Sequence, residues 1–236
     1  MNGWRWLVIS PFVLLALAFV LASQPVSQSI LTHVPTEKKA VAITFDDGPS
    51  PKYTPLILKT LSQYHAHATF FVLGSEAQQY PDLVRAISQQ GSAVASHGWQ
   101  HLNLRRVGAS ALWLDASKSQ DYVRSLGVDP SPFYRPPYGL VSQPMVQMFA
   151  DHGYTVVLWS IDTRDWSRPG VASIINKVAT EVKPGSIILL HDGGGNRSQT
   201  ATALNAILEQ LTQMGYQAVT LPQLVQYRSA PHSARV

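Results

Sequence analysis

The sequence contains no cysteine among its 236 residues. This absence excludes a disulfide scaffold, a cysteine zinc finger, an iron–sulfur cluster and a thiol nucleophile, so any metal site must use His, Asp or Glu. Charged residues are also scarce, at 14%, whereas hydrophobic residues make up 45%. This composition argues against disorder and supports one sizeable core. Collagen-like and coiled-coil chains are excluded because the sequence has neither a Gly-X-Y period nor a long heptad run.

Basic residues exceed acidic ones only slightly, with a formal net charge of +4. The close basic pairs are Lys38-Lys39 and Arg105-Arg106, and no longer basic run or stripe is present. Such thinly spread charge gives little support for nucleic-acid binding. We therefore expect no nucleic-acid partner.

The N-terminal segment is the most apolar part of the chain. Residues 7–22 contain no charge and follow a short segment with Arg5 between two tryptophans. Their length lies between that of a signal-peptide core and the roughly 17–25 residues of a spanning helix. We predict that residues 1–22 are a signal peptide or a membrane anchor, rather than a buried core helix. The domain would then be secreted or anchored outside the cytoplasm, with membrane contact only through this segment. The polar residues 23–38 are interpreted as a linker.

From residue 39 onward, short apolar runs alternate with helical stretches. The runs are residues 41–45, 68–72, 93–96, 133–134, 155–161, 186–190 and 217–220. The helical stretches are residues 54–64, 81–90, 110–126, 142–152, 171–182, 199–214 and 221–227. Several runs are apolar throughout, as in strands that are covered on both faces of a parallel sheet. Seven such units indicate one parallel α/β domain over residues 39–227, either a barrel or a doubly wound sheet. Residues 228–236 are predicted to be a flexible tail.

Polar clusters follow five of these runs. They are Asp46-Asp47-Gly48-Pro49, His97-Gly98-Trp99-Gln100-His101, Arg135-Pro136-Pro137-Tyr138-Gly139, Asp162-Thr163-Arg164-Asp165-Trp166 and His191-Asp192-Gly193-Gly194-Gly195. Each cluster alone is also compatible with an ordinary turn or loop. However, the carboxyl ends of parallel strands meet at one edge, where ligand sites form. Because turns at that edge need no His, Arg or Trp, we expect the clusters to converge in a functional site.

The residue types in these clusters suit metal-assisted hydrolysis of an amide or ester. His97, His101 and one of the two adjacent aspartates would supply three protein ligands and leave a position for water. The other aspartate is free to accept a proton, and His191 to protonate a leaving group. Asp165 would orient that histidine, and Arg135 would keep the basic carboxylate ionised.

As an ordered set, five motifs resemble those of the polysaccharide deacetylase family, the NodB-homology group or carbohydrate esterase family 4. They are TFDDGP (44–49), HGWQH (97–101), RPPYG (135–139), DTRDW (162–166) and LLH (189–191). The resemblance covers about residues 39–227. It implies a distorted (β/α) barrel of about seven parallel strands in a single domain.

The resemblance also implies a metal centre. Asp47, His97 and His101 would hold one divalent metal ion, which is usually zinc or cobalt in this family, and we expect zinc. Asp46 would be the general base, and Arg135 would pair with it.

Further roles are implied for the second half of the chain. His191 would be the general acid, paired with Asp165. The backbone N–H of Tyr138 would help to stabilise the oxyanion. Trp166 and Leu189 would line the pocket for the acetyl methyl group.

One position departs from the family's pattern. Gly98 stands where the second motif usually has Ser or Thr, whose hydroxyl is thought to brace the loop, so the rigidity of this loop is in question. The run Gly193–Gly195 lacks the Lys-Ser/Thr of a phosphate loop and is interpreted as a flexible loop near the site.

The resulting expectation is a monomeric, metal-dependent hydrolase that removes N-acetyl groups from N-acetylglucosamine-type residues of a cell-wall or chitin-like polysaccharide. One alternative is a non-catalytic wall-binding relative, and another is a hydrolase of a different acylated glycan. A glycosidase is a further rival. The adjacent Asp46 and Asp47 cannot straddle a sugar ring, whereas Asp47 with Asp165 could.

Overall fold

The computed structural model describes residues 30–229. Within this range eight strands form one sheet, and every paired neighbour is parallel. The strands are β1 (Ala40–Asp46), β2 (Thr69–Val72), β3 (Ala93–Ser96), β4 (Phe133–Tyr134), β5 (Thr155–Val156), β6 (Ile161–Asp162), β7 (Ile187–His191) and β8 (Gln217–Val219). Their spatial order is β5-β4-β3-β2-β1-β7-β6, and β8 pairs with the beginning of β1.

Eight α-helices in the described range connect these strands. They are α1 (Thr54–Gln63), α2 (Gly74–Gln79), α3 (Pro81–Gln89), α4 (Ala109–Ser125), α5 (Gln143–Asp151), α6 (Val171–Glu181), α7 (Ser198–Gln213) and α8 (Leu221–Gln226). Local signals set some of their ends. The Ser142 hydroxyl caps α5, and Thr220 with Gln223 forms a capping box at α8. Helix α2 was not predicted from the sequence, because its six residues are too few and too polar to show a helical period.

The sheet curls until its two ends approach each other. β5 lies at one end of the strand order and β6 at the other, yet only residues 157–160 separate them in the chain. The predicted strand 155–161 is therefore divided between two short strands. Its middle leaves the ladder because Leu158 donates its N–H to Leu31 and turns its carbonyl toward Arg135. The prediction of a distorted (β/α) barrel in a single domain is confirmed.

Alternate side chains of β1 point to the two sides of the curled sheet. Val41, Ile43 and Phe45 pack in the cluster between sheet and helices, whereas Ala40 and Ala42 pack in a second cluster with strand residues from across the curl. All seven residues of β1 are buried, since β2, β7 and β8 cover its edges. The predominantly apolar pattern of this run thus reflects burial on both faces.

The register of the strands aligns the predicted site residues at one edge. Asp46 of β1 is the Cα partner of His191 of β7, and Asp162 of β6 pairs with Leu189. Ser96, which precedes the first histidine of its motif, pairs with Tyr134, which precedes Arg135. The carboxyl ends of these five strands are consequently brought together.

The predicted linker needs a correction from residue 30 onward. Leu31 is bridged to Val157, and His33 to Ser186, while the side chains of Leu31 and Val34 are buried. This short segment therefore helps to close the barrel, because it fills the gap beside β5. Its polar composition concealed two inward-facing apolar residues.

Both chain termini, including the predicted membrane segment, lie beyond the part of the chain that the structure describes. Residues 1–22, predicted as a signal peptide or anchor, and residues 230–236 of the predicted tail lie outside the described residues. Within residues 30–229 no helix is both long and apolar enough to cross a bilayer.

Candidate active site

The carboxyl ends of the strands surround a cavity of about 370 Å³, a size typical of small-ligand sites. The predicted site residues that line it are Asp46, Asp47, His97, His101, Tyr138, Trp166, Leu189 and His191. The remaining two, Arg135 and Asp165, are buried behind the wall, where each pairs with a lining residue. All ten predicted residues are thus brought to one place.

Three of these side chains form a compact cluster of ligand atoms. Asp47 Oδ1 lies 3.4 Å from His97 Nε2 and 3.4 Å from His101 Nε2. Ligands placed about 2.1 Å from a tetrahedral ion lie roughly 3.4 Å apart, so this spacing suits a divalent metal. Asp47 and His101 both have a left-handed backbone, with φ of 71° and 56°, which turns their side chains toward the common point.

The surroundings of the cluster prepare it for a metal. His97 Nδ1 lies 2.7 Å from the carbonyl oxygen of Arg135 and must donate to it, so Nε2 presents its lone pair to the cluster. Asp47 Oδ1 is buried and has no hydrogen-bond partner among the described residues. Burial alone would raise the pKa of Asp47, but the closeness of His97, with smaller effects of His191 and His101, lowers it overall. This ionised carboxylate and the two imidazoles fit a divalent cation.

Asp46 is supported by a buried ion pair. Its Oδ1 accepts a 2.7 Å hydrogen bond from Arg135 Nη1, and the same nitrogen donates to Thr44 Oγ1. Arg135 Nη2 donates to the carbonyl of Leu158, and the guanidinium lies over the Phe71 ring at 4.1 Å. Held in this way, Asp46 presents its other oxygen 3.9 Å from His97 Nε2, next to the metal cluster.

His191 forms a second supported unit with Asp165. Asp165 Oδ1 lies 2.8 Å from His191 Nδ1, and its Oδ2 accepts from the His191 backbone N–H and from Thr200 Oγ1. Burial disfavours the charged imidazole, but the hydrogen bond and charge of Asp165 raise the pKa of His191 overall. The pairing leaves Nε2 for the cavity, an arrangement suited to a general acid.

Four cavity residues were not among the predicted site residues. They are Pro136, Gly139, Trp159 and Asp162. Three of them belong to motif clusters, so their position beside known motif residues was an available signal. Trp159 lies inside the apolar run that the sequence analysis interpreted as one strand, and only the break of that strand turns it to the cavity.

The glycine run Gly193–Gly195, predicted to be a flexible loop near the site, lies beside Asp47. A Cβ at Gly193 would lie 2.0 Å from the carbonyl oxygen of Asp47, and one at Gly194 would lie 2.5 Å from Asp47 Oδ2. The buried Arg197 donates hydrogen bonds to the carbonyls of Gly193 and Gly194. Gly193 and Gly194 are therefore packed against Asp47, which only residues without a side chain permit.

Comparison with known proteins identifies the family. The profile of the family described as Polysaccharide deacetylase matches residues 33–157, more than half of the 236-residue chain. A peptidoglycan-N-acetylglucosamine deacetylase of Bacillus cereus is 42% identical over 198 residues, covering 83% of this chain and 92% of that relative. The chain belongs to the polysaccharide deacetylase family.

Two further relatives agree with this assignment. A chitooligosaccharide deacetylase of Sinorhizobium fredii is 37% identical, with 80% of this chain and 93% of the relative covered. The crystal structure of the peptidoglycan N-acetylglucosamine deacetylase Bc1960 matches with a TM-score of 0.81 at 34% identity, covering 85% of this chain and 94% of that one. The resemblance of the five motifs is thereby confirmed, and the chain is an enzyme of this family, a hydrolase of carbon–nitrogen bonds other than peptide bonds.

Proposed function

We propose that this protein removes N-acetyl groups from N-acetylglucosamine residues of a cell-wall or chitin-like glycan, with one divalent metal ion, zinc, as its cofactor. The observation that carries this proposal is the content of the cavity. A cluster of three metal-ligand atoms shares it with a carboxylate backed by arginine and an imidazole backed by aspartate. Relatives named for deacetylation of peptidoglycan and of chitooligosaccharides support the class of substrate.

The first half of the reaction depends on Asp46. Asp47, His97 and His101 would hold the divalent ion, which would supply a Lewis acid for the acetamide carbonyl and favour ionisation of water. Asp46 accepts the proton of the attacking water, while its ion pair with Arg135 keeps the carboxylate ionised and in place. The bond from water oxygen to the carbonyl carbon forms, and negative charge develops on the carbonyl oxygen.

The second half of the reaction, in which the carbon–nitrogen bond breaks, depends on residues of the third, fourth and fifth motifs. The backbone N–H of Tyr138 donates a hydrogen bond to the developing oxyanion. His191, oriented through Nδ1 by Asp165, delivers a proton from Nε2 to the amide nitrogen as the carbon–nitrogen bond breaks. Trp166 and Leu189 contact the acetyl methyl group in the cavity. The products are acetate and a free amino sugar.

A pair of variants at the adjacent aspartates tests this division of roles. Asp47→Ala removes one of three ligands, so bound metal and acetate release are both expected to fall. Asp46→Asn keeps the size of the side chain but cannot accept a proton, so metal content should persist while turnover falls about 10²–10⁴-fold. Asp121→Asn, on an exposed part of α4, is the matched control. Equal metal loss in both site variants, or normal turnover in Asp46→Asn, would contradict the assignment.

The substrate class is tested by a panel of acetylated glycans. Acetate release from peptidoglycan and from chitin oligomers is expected, is lost with a chelator, and returns with Zn²⁺. A non-catalytic wall-binding protein would bind a glycan without releasing acetate, and a glycosidase would generate new reducing ends instead. Release of acetate only from some other acylated glycan would replace the proposed substrate.

We also propose that the enzyme acts outside the cytoplasmic membrane. The uncharged residues 7–22, preceded by a basic residue, support export. Fractionation of producing cells should place the protein in the membrane or extracellular fraction. Full-length, soluble protein in the cytoplasm would contradict this proposal.

A further inference from the structure

The segment His97–His101, which we term the histidine loop, carries two of the three residues of the metal cluster. Gly98 stands in this loop where the family's motif usually has a hydroxyl residue, so another contact must keep the loop in shape. His101 has a left-handed backbone that is unfavourable for a non-glycine residue, and it is only partly buried. Its position therefore depends on how firmly the loop is held.

A carboxylate from a neighbouring helix contacts the backbone of this loop. Asp115 Oδ2, on α4, accepts a 2.6 Å hydrogen bond from the Trp99 N–H and a 3.3 Å hydrogen bond from the Gln100 N–H. Hydrogen bonds to an ionised acceptor are about twice as strong as those between neutral groups. Ser96 Oγ accepts a further hydrogen bond from the Gly98 N–H. The N–H groups of three successive loop residues are thus satisfied by side chains outside the loop.

The same helix also holds the Trp99 side chain. Lys118 Nζ lies 3.7 Å from the centre of the Trp99 ring, and Tyr122 packs edge-on against that ring. Asp115, Lys118 and Tyr122 recur at helical spacing, so one face of α4 contacts the loop. On the opposite side, Gly74 and Ser75 donate their N–H groups to the carbonyls of Gly98 and Trp99.

Gly98 and Asp115 depend on each other sterically. Gly98 has φ of +88°, and a Cβ built there would lie 2.5 Å from Asp115 Oδ2. A serine or threonine at position 98 would therefore displace the carboxylate from its hydrogen bonds. The absence of a side chain at Gly98 is what lets Asp115 reach the loop.

We propose that Asp115 is a positioning residue for the metal centre: it braces the histidine loop so that His97 Nε2 and His101 Nε2 both face Asp47 Oδ1. Asp115 itself is not a ligand and acts only through the backbone of Trp99 and Gln100. The proposal rests on the proposed function only in so far as the cluster binds a metal.

The test is the affinity of the metal-free protein for Zn²⁺, measured by competition with a chromophoric chelator and without any glycan. Asp115→Ala is expected to lower the affinity about 10- to 100-fold, the usual effect of removing support for a ligand. Asp115→Asn keeps an oxygen that accepts from the backbone and should recover most of the affinity. Asp121→Ala lies on the same helix, away from the loop, and should bind Zn²⁺ as the unmodified protein does.

Two further measurements separate positioning from general damage. Each metal-free variant should remain folded at the assay temperature and unfold in one cooperative transition, because the brace lies in a loop and not in the hydrophobic core. Gly98→Ser should also lower the affinity for Zn²⁺, because its side chain collides with the carboxylate and because φ of +88° strains any residue that carries a Cβ. The proposal is overturned if Asp115→Ala binds Zn²⁺ like Asp121→Ala, or if Asp115→Asn is no better than Asp115→Ala.

The test of Asp115 can fail or succeed independently of the test of the proposed deacetylase function. Failure to release acetate from any glycan, together with a selective loss of Zn²⁺ affinity in Asp115→Ala, would remove the function and keep the brace. Normal Zn²⁺ affinity in Asp115→Ala, together with normal acetate release by the unmodified protein, would support the proposed function and contradict the role of Asp115.

Discussion

The buried ion pair between Arg135 and Asp46 predicts a large and specific loss of stability. The side chain of Arg135 is 0% exposed and that of Asp46 4% exposed, and their atoms are 2.7 Å apart. Arg135→Met keeps an unbranched stem against Phe71 but leaves a carboxylate buried without its cation. Breaking a buried pair in this way costs about 3–5 kcal/mol in the free energy of unfolding, because the remaining charge is neither solvated nor compensated.

That cost should be easy to measure. In a domain of this size each kcal/mol shifts the melting temperature by about 2–4 °C, so Arg135→Met should lower it by roughly 6–20 °C. Thermal and urea unfolding of the metal-free protein, followed by circular dichroism, would give both values. Metal must be absent because a bound ion would add its own stabilisation.

A matched control is available on the protein surface. Arg124 pairs with Asp121 at 2.8 Å, but their side chains are 49% and 74% exposed. Arg124→Met should therefore cost only about 0.2–1 kcal/mol. Adding Asp46→Asn to Arg135→Met removes the stranded charge and should recover part of the loss. The reasoning is refuted if Arg135→Met is no more destabilising than Arg124→Met, or if the double variant is no more stable than Arg135→Met.

Three other predictions concern the site. Burial lowers the pKa of His191, but Asp165 raises it overall. Asp165→Asn should therefore move the high-pH limb of the pH–rate profile for acetate release to lower pH. If that limb does not move, His191 is not the general acid. Burial raises the pKa of Asp192 to about 7, so the folded, metal-free protein holds a proton that the unfolded chain releases, and stability should fall as pH rises from about 4 to 7. Asp192→Asn should flatten that dependence in unfolding experiments, and an unchanged slope would assign it to another group. Trp166→Ala should lower acetate release roughly tenfold with normal metal content, since the residue offers apolar contact and no ligand; unchanged release would place it outside the acyl pocket.

Much of the fold is encoded locally in the sequence. The run 41–45 is apolar at every position except Thr44 because β1 is covered on both faces, and this pattern is visible without any knowledge of its neighbours. The alternation of such runs with helical stretches is enough to indicate parallel strands. Parallel strands place their carboxyl ends at one edge, and for this reason the motif residues could be predicted to meet.

Other features depend on contacts between distant parts of the chain. The segment around Leu31 has the composition of a linker, and only its pairing with Val157 shows that it helps to close the barrel. The run 155–161 has the apolar character of one strand, but hydrogen bonds to Leu31 and Arg135 draw its middle out of the ladder. The hydrophobic pattern of the sequence indicates whether a residue is buried, but it does not specify which distant residue pairs with it.

The candidate site shows the same division. The types and order of the motif residues are enough to predict which groups bind a metal, accept a proton or deliver one, because that chemistry belongs to the side chains themselves. The tertiary structure alone decided what supports them. Asp115 reaches the histidine loop from a helix that follows it in the chain, and Arg197 holds the glycine run against Asp47. These supports are hydrogen bonds and close contacts whose geometry arises only when the barrel is packed. No local pattern in the amino-acid sequence therefore predicts them.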